Sequence, residues 1–326
     1  MTTDAKILKA LRTASSSYVS GAELAASSQI SRAAIWSRIE ELRQLGYDIE
    51  ASPHLGYRLK NSPDVLLGDD IISRIEKINI IGREINVFNQ TTSTNDVVEK
   101  MAVDGVAEGV VVFAESQTKG RGRLGRMWHS PTGKGLWFSI LLRPTLHPPT
   151  AMQLTIAAAT STRRAISRFT KTPAIIKWPN DIILNGKKVA GILNEISAEM
   201  DRIKYAILGI GINVNQETED LPDELRNVAT SIKIQTGQTI NRCELVASIL
   251  AELDSEYNKI KEGKFNTIAD EWMQFCETIG KQVTIRVGGR IIQGRAESVD
   301  ADGCLLVRKT HGHLERIVGG DVILEK

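Results

Sequence analysis

Between Gly120 and Arg126 the chain reads Gly-Arg-Gly-Arg-Leu-Gly-Arg, three glycines and three arginines in seven residues. No helix or strand core can be built on such a run. The glycines resist regular dihedrals, and each guanidinium demands water or an anion. The segment must be a loop, and the elements around it have to present it to solvent or to a ligand. It contains G-x-G-x-x-G, but Trp128-His129-Ser130-Pro131-Thr132-Gly133 follows, which is turn chemistry where a dinucleotide fold opens a helix. No acidic residue stands about 20 positions on, as that fold requires. The spacing Gly120 to Gly125 fits a Walker A loop, yet Arg126-Met127 replaces the Lys-Ser/Thr that would hold magnesium. A solvated basic loop is one reading. Trp128, a flat aromatic beside cations suited to phosphate, favours a second: a nucleotide-binding loop.

The 326 residues around this loop fall into three segments, expected as domains at 1–63, 64–278 and 279–326. In the first, Ile7, Leu8 and Leu11 form a helical stripe, Gly21 to Ser27 a short helix anchored by Leu24, and Ser31 an N-cap for a third helix. Ile35, Ile39 and Leu42 give that helix its apolar face, and Gly46 ends it. Asp48–Ala51 and Tyr57–Lys60 then flank a turn. Three short helices and a small ribbon make a winged helix-turn-helix. In the second segment strands and helices alternate with hairpin signals mixed in, so the class is α+β rather than strict βαβ. In the third, short strands separated by Gly-Gly, Asp-Gly, His-Gly and Gly-Gly predict a small β-barrel.

Bulk properties exclude more than they assign. No apolar run is long enough to span a membrane, and the N-terminus lacks the pattern of a secretory signal. Cys243, Cys276 and Cys304 are few, scattered and odd in number, which fits a reducing cytoplasm rather than disulfides or a metal site. His311-Gly312-His313 reads as an exposed turn. Net charge is +2, and residues 1–60, with eight Lys/Arg against six Asp/Glu, carry all of it. That excess is too small to argue nucleic-acid binding, so any such claim rests on the motif.

Three further segments carry chemistry. Lys177-Trp178-Pro179-Asn180-Asp181 leads through Ile182–Leu184 to Asn185-Gly186, a two-residue hairpin turn, and then Lys187 and Lys188 open the return strand. Pro179 implies a bulge or an edge strand, and alternation allows only one of the two lysines to face a site. Asn180 and Asp181 also fit simple turn residues. Thr92-Ser93-Thr94-Asn95 follows an apolar strand, Ile85–Phe88, and reads as a helix N-cap, a place that also offers N–H groups and hydroxyls to a polar ligand. Gly209-Ile210-Gly211-Ile212-Asn213 puts glycines inside a strand, which predicts close approach of a ligand or of backbone.

Taken together, Ser93-Thr94-Asn95, Gln117, the Gly120–Arg126 loop with Trp128, Lys177–Asp181, Lys188 with Ala190-Gly191-Ile192, and Gly209–Asn213 resemble the biotin–protein ligases, called biotin operon repressors when a winged helix is present. The resemblance covers the whole chain. It implies a winged helix, a mixed-sheet ligase domain like the class II synthetases, and an SH3-like C-terminal barrel. It also implies ATP, Mg2+ and biotin: biotin is activated to biotinoyl-5′-AMP and passed to a lysine of a biotin-carboxyl-carrier acceptor domain. By resemblance, Lys188 and Arg123 are catalytic. Ser93, Thr94, Asn95, Gln117, Arg121, Gly122, Arg123 and Lys188 bind biotin. Arg121, Arg126, Trp128, Lys177, Asn180, Asp181 and Asn213 bind the nucleotide, with Trp128 stacking on adenine and Asp181 as a magnesium ligand. The arginine loop would close over the adenylate and keep water out.

For the winged helix, Arg32, Ala33, Trp36 and Ser37 lie away from the apolar stripe near the start of the third helix, where helix-turn-helix proteins meet base edges, and Arg58 in the wing is placed for phosphate. Trp36 packing against a neighbouring element is the alternative. The resemblance implies a homodimer on operator DNA, with the adenylate as corepressor. Two rival readings remain in view: a lipoate–protein ligase, and a ligand-sensing repressor without catalysis. A ligase whose winged helix no longer binds DNA is a third.

Overall fold

The computed structural model describes residues 1–324. The chain forms two compact units, Met1–Lys77 with Asn241–Ala247, and Ile78–Ile240 with residues 248–324.

The N-terminal unit holds α1 (Thr3–Thr13), α2 (Gly21–Ser28), α3 (Arg32–Gln44), the ribbon β1 (Asp48–Ser52) and β2 (Gly56–Asn61), and α4 (Gly68–Arg74). Each of the first three helices starts at a hydroxyl cap. Thr2, Ser20 and Ser31 accept from the backbone N–H of Ala5, Glu23 and Ala34. After α3, Gly46 takes φ +96°, a conformation that only glycine adopts cheaply. Ile7, Leu8, Leu11, Leu24, Ile35, Ile39 and Leu42 form one buried cluster, as their spacing predicts.

Behind this core lies a buried ionic hub. Asp70 of α4 is fully buried and accepts from Tyr47 Oη at 2.8 Å, from Arg74 at 2.7 Å, and pairs with Arg12 of α1 at 2.6 Å. One carboxylate thereby ties α1, α4 and Tyr47, in the connection between α3 and β1. Arg242, also buried, donates its backbone N–H to Asp64 at 2.8 Å and its Nε to the same carboxylate at 3.1 Å.

The second unit continues with β3 (Glu84–Thr91), α5 (Thr94–Val103), β4 (Val110–Gln117), β5 (Gly135–Leu142), α6 (Met152–Phe169), β6 (Ile175–Lys177), β7 (Asp181–Leu184), β8 (Lys187–Ala198), β9 (Ile203–Asn213) and α7 (Ile232–Thr236). Helices α8 (Arg242–Lys261), whose first turns belong with the N-terminal unit, and α9 (Phe265–Phe275) follow. The seven strands form one sheet in the order β3-β4-β5-β9-β8-β7-β6, with β3–β4 parallel and the other ladders antiparallel. This is the mixed sheet expected of an α+β chain. β5 is buried along its whole length, which fits a central strand.

The chain ends in β10 (Gln282–Val287), β11 (Arg290–Val299), β12 (Leu305–Arg308), β13 (Leu314–Ile317) and β14 (Asp321–Leu324). They form an antiparallel sheet in the order β13-β12-β11-β10-β14. The expected barrel is thus a five-stranded sheet in which, among the described residues, no ladder joins β13 to β14. Cys243, Cys276 and Cys304 are free and buried. Among the described residues no helix is long and apolar enough to cross a membrane.

Candidate active site

One face of the seven-stranded sheet opens on a cavity of about 730 Å3. Ser93, Thr94, Asn95, Gln117, Arg121, Gly122, Arg123, Arg126, Trp128, Lys177, Asn180, Asp181, Lys188 and Asn213 all line it. Residues up to 120 positions apart in sequence therefore meet at one place.

At one end lies a polar network. Ser93 stands at the N-cap position of α5, but its side chain makes no capping bond. Gln117, at the end of β4, does that work: its Oε1 accepts from the Thr94 backbone N–H at 2.8 Å, and its Nε2 donates to Ser130 at 3.0 Å. Thr94 Oγ1 lies 2.6 Å from Ser139 Oγ, which donates to Asn95 Oδ1 at 2.5 Å. Asn95 donates in turn to Glu195. These buried groups are locked in one arrangement because an unpaired one would cost more than its bond contributes. They offer several donors and acceptors in a small space, which is what a ureido ring needs.

The arginine loop forms a miniature hairpin. Gly122 N–H donates to Arg126 O at 2.7 Å, and Trp128 N–H donates to Gly120 O at 2.8 Å. Leu124 and Gly125 both take left-handed backbone, φ +56° and +71°, and the Leu124 side chain is exposed. Each arginine is anchored separately. Arg121 bonds Glu195 and Asp96. Burial alone would lower the Arg121 pKa, but these two carboxylates outweigh it and raise it. Arg123 Nη1 donates to Asn180 Oδ1 at 3.1 Å and to Gly320 O at 3.4 Å; burial, without a bonded carboxylate, pulls its pKa down. Arg126 pairs with Asp321 of β14.

The indole of Trp128 lies against the strands. A Cβ built on Gly211 would come within 2.5 Å of that ring, and one on Gly191 within 2.9 Å. A Cβ on Gly209 would meet Asn95 Oδ1 at 2.4 Å. The strand glycines were expected to admit a ligand or a neighbouring backbone. What approaches is side chains, the ring that walls the cavity and the amide of its polar end.

Lys188 faces this cavity. Its Nζ is 5.2 Å from the centroid of the Trp128 ring and 2.6 Å from Asp181 Oδ1. Lys187 points elsewhere, to Arg226 O at 2.8 Å, so strand alternation selects one lysine as expected. Its neighbours fix Lys188: the backbone N–H donates to Val228 O at 2.9 Å, and its own carbonyl accepts from Thr230 N–H at 2.9 Å. Asn185 and Gly186 at the hairpin tip take φ +50° and +77°, the turn their sequence predicts. Asn180 donates to Ile192 O at 2.6 Å, and Asn213 donates to Thr230 O and accepts from Gln216, so both amides are spoken for within the protein.

In the winged helix, Arg32, Ala33, Trp36 and Ser37 are exposed; Trp36, at 59%, is not packed. Arg58 is held by Glu50 at 2.5 Å and lies over the Tyr18 ring. Arg43, in the last turn of α3, is tied back to Glu40 and to Ile49 O.

Sequence reasoning missed Ser139, Glu195, Asp321 and the stretch around Val228. Ser139 had a legible signal, a hydroxyl inside Leu-Trp-Phe-Ser-Ile-Leu-Leu. Asp321 had none, since its partner lies 195 residues away.

Comparison with known proteins agrees with this geometry. Residues 87–213 match the model of the Biotin/lipoate A/B protein ligase family, residues 4–58 an HTH domain, and residues 278–325 the Biotin protein ligase C terminal domain. The chain is 37% identical over 311 residues to the bifunctional ligase/repressor BirA of Bacillus spizizenii, covering 95% of each. It is 27% identical over 314 residues to the bifunctional ligase/repressor BirA of Escherichia coli, covering 95% of this chain and 94% of that one. In three dimensions it is similar to the biotin protein ligase from Aquifex aeolicus in complex with biotin and ATP, with TM-score 0.63 at 31% identity, over 75% of this chain and 99% of that one.

Proposed function

From the premise that this chain belongs to the biotin–protein ligase family, in its bifunctional ligase/repressor form, we propose that the cavity lined by Lys188 and the arginine loop carries out a two-step acyl transfer. In the first step a carboxylate oxygen of biotin attacks the α-phosphorus of ATP, the bond to the bridging oxygen breaks, and pyrophosphate leaves. In the second the amine of an acceptor lysine attacks the carbonyl of biotinoyl-5′-AMP, loses a proton, and AMP departs. The acceptor is the carrier domain of a biotin-dependent carboxylase.

The observation that carries this reading is the position of Lys188 between the ring of Trp128 and the carboxylate of Asp181, in one cavity with the polar network. Thr94, Asn95, Gln117 and Ser139 hold the ureido ring, and Ser93 closes the same pocket. Lys188 meets the carboxylate and the α-phosphate as charge moves onto phosphate, and a fixed cation placed where charge develops is the largest catalytic term available here. Trp128 stacks on adenine, with Asn180 and Asn213 shaping its surroundings. Arg121, Gly122 and Arg123 cover the adenylate, which excludes water from a mixed anhydride that water would destroy. Arg126 and Lys177 serve the phosphates.

Magnesium fits this donor set in one way. Among the described residues no cluster of three His, Cys, Asp or Glu exists to cage a metal. A hard cation that keeps its waters and phosphate ligands needs only one or two carboxylates, and Asp181 lines the cavity as such. Bound there with ATP, it would neutralise phosphate charge.

The winged helix makes the protein a biotin-responsive repressor as well. Arg32, Ala33, Trp36 and Ser37 are assigned to base edges and Arg58 to phosphate, once released from Glu50. A single such module offers few contacts, so a homodimer on two half-sites is assigned, with the adenylate as corepressor, in the cytoplasm.

The decisive experiment is pyrophosphate release by purified protein with ATP, magnesium and either biotin or lipoate. Release with biotin alone is expected. Release only with lipoate, or with neither acid, would overturn this assignment.

A further inference from the structure

The sheet supplies a ruler across the cavity. Its strands run β5, β9, β8, β7, β6, and neighbours lie about 4.8 Å apart. Ser139 of the polar network is on β5, Lys188 on β8, and Lys177 at the end of β6, the sheet's edge. Ser139 and Lys177 are thus four strand spacings apart, roughly 19 Å. In-line displacement expels the leaving group on the side of phosphorus opposite the attacking oxygen. With biotin held at the β5 side and Lys188 at the reacting phosphorus, pyrophosphate departs toward β6.

At that end the walls come partly from the C-terminal sheet. Cys276 bridges to Ile176 of β6, and Glu277 N–H donates to Ile176 O at 2.9 Å, so the chain entering the C-terminal sheet runs along this edge. Arg286 of β10 and Asp321 of β14 are register partners, which puts their side chains on one face, and both line the cavity. Asp321 is taken by Arg126. The side chains of Lys177 and Arg286 have no ion-pair or hydrogen-bond partner among the described residues, although both line the cavity. Asp181, Glu277 and Asp321 are the carboxylates here, set against five cations, Arg123, Arg126, Lys177, Lys188 and Arg286, with Asp181 already paired to Lys188. Cations left over after the protein's own anions are counted suit a polyanion.

We propose that Lys177 and Arg286 together seat the departing pyrophosphate, which makes the C-terminal sheet a working part of the adenylation step. This rests on the ligase reading above. As the biotin oxygen bonds to the α-phosphorus, the bond from that phosphorus to the bridging oxygen breaks and its electron pair leaves with pyrophosphate. The two side chains meet the charge, and no proton moves.

The test is binding of inorganic pyrophosphate, with magnesium, to the full-length protein by calorimetry, and its inhibition of adenylate formation. Arg286→Gln and Lys177→Gln are each expected to weaken pyrophosphate roughly tenfold, the loss of one charge-assisted bond. Arg286→Lys should recover most of the binding, and the Kd for biotin alone should stay where it is. Arg286 is exposed, so its variants keep the fold. Unchanged pyrophosphate binding in Arg286→Gln would remove the C-terminal sheet from the leaving-group site. Failure of the natural chain to form adenylate from ATP and biotin would instead bring down the ligase reading itself.

Discussion

The ammonium of Lys188 lies 5.2 Å from the centroid of the Trp128 indole. A cation over an aromatic face is held without being neutralised, and the carboxylate that pairs with it, Asp181, is itself partly open to solvent. Lys188 is thus placed by the protein but remains available to a phosphate. Lys188→Ala should lower pyrophosphate release by roughly two to three orders of magnitude, as loss of a preorganised charge does. Because the Lys188–Asp181 pair is part-exposed, stability should change by less than about 1 kcal/mol. Thermal melting alongside the rate assay checks both; near-normal turnover would remove Lys188 from the mechanism.

Gly209 and Gly211 lie two residues apart on one strand, yet each guards a different end of the cavity. An alanine methyl at 209 would strike Asn95 Oδ1, and one at 211 would strike the Trp128 ring. Gly209→Ala should raise the KM for biotin, and Gly211→Ala the KM for ATP, each by roughly tenfold if the clash costs the ~1–3 kcal/mol typical of overpacking. Steady-state kinetics with each substrate varied separates them. Equal effects on both substrates in both variants would show that the two ends are not independent.

The loop is latched from the C-terminal sheet by Arg126–Asp321 and by Arg123 on Gly320 O. Asp321→Asn removes the charged half of that latch. Since the Arg126–Asp321 pair is exposed and worth under about 1 kcal/mol, trypsin should nick the loop at Arg121, Arg123 or Arg126 only a few-fold faster in the ligand-free variant. An unaltered cleavage rate would mean that Asp321 does not restrain the loop.

Trp36 projects from α3 with more than half of its surface exposed. In the DNA-binding role proposed for the start of α3, that ring would be buried against operator DNA. Trp36→Ala should leave the melting temperature almost unchanged, because surface substitutions usually stay within about 0.5 kcal/mol. Operator binding in a mobility-shift titration should weaken. Wild-type binding would return Trp36 to the status of an unused surface residue.

What the sequence made legible was local. Ser31 as a cap, Gly46 as a helix stop and Asn185-Gly186 as a left-handed turn each depend on neighbours within a few positions, and the structure has all three. The cavity residues came from a pattern spread over Ser93 to Asn213, and they do converge. What stayed hidden depends on distant partners. Nothing near Asp321 announces that Arg126 will meet it, and Glu195 gains its meaning only when Asn95 and Arg121 reach it across the fold. The strand glycines were half legible: a close approach could be read from them, but not that Asn95 and Trp128 would be the visitors.

The hub at Asp70 bears on how this regulator can be rewired. Arg12 and Tyr47 come from the helix-turn-helix part, whereas their shared carboxylate comes from α4, past the wing, and Asp64 is bound by Arg242, some 180 positions downstream. A chimera grafting only the three helices and the wing onto another ligase would separate the largely buried Arg12 guanidinium from its Asp70 partner, and breaking one side of such a pair is destabilising wherever the remaining charge stays buried. The exchangeable cassette is therefore discontinuous in sequence: it must carry residues to Lys77 and the stretch Asn241–Ala247, so donors and recipients will be compatible only where both pieces travel together.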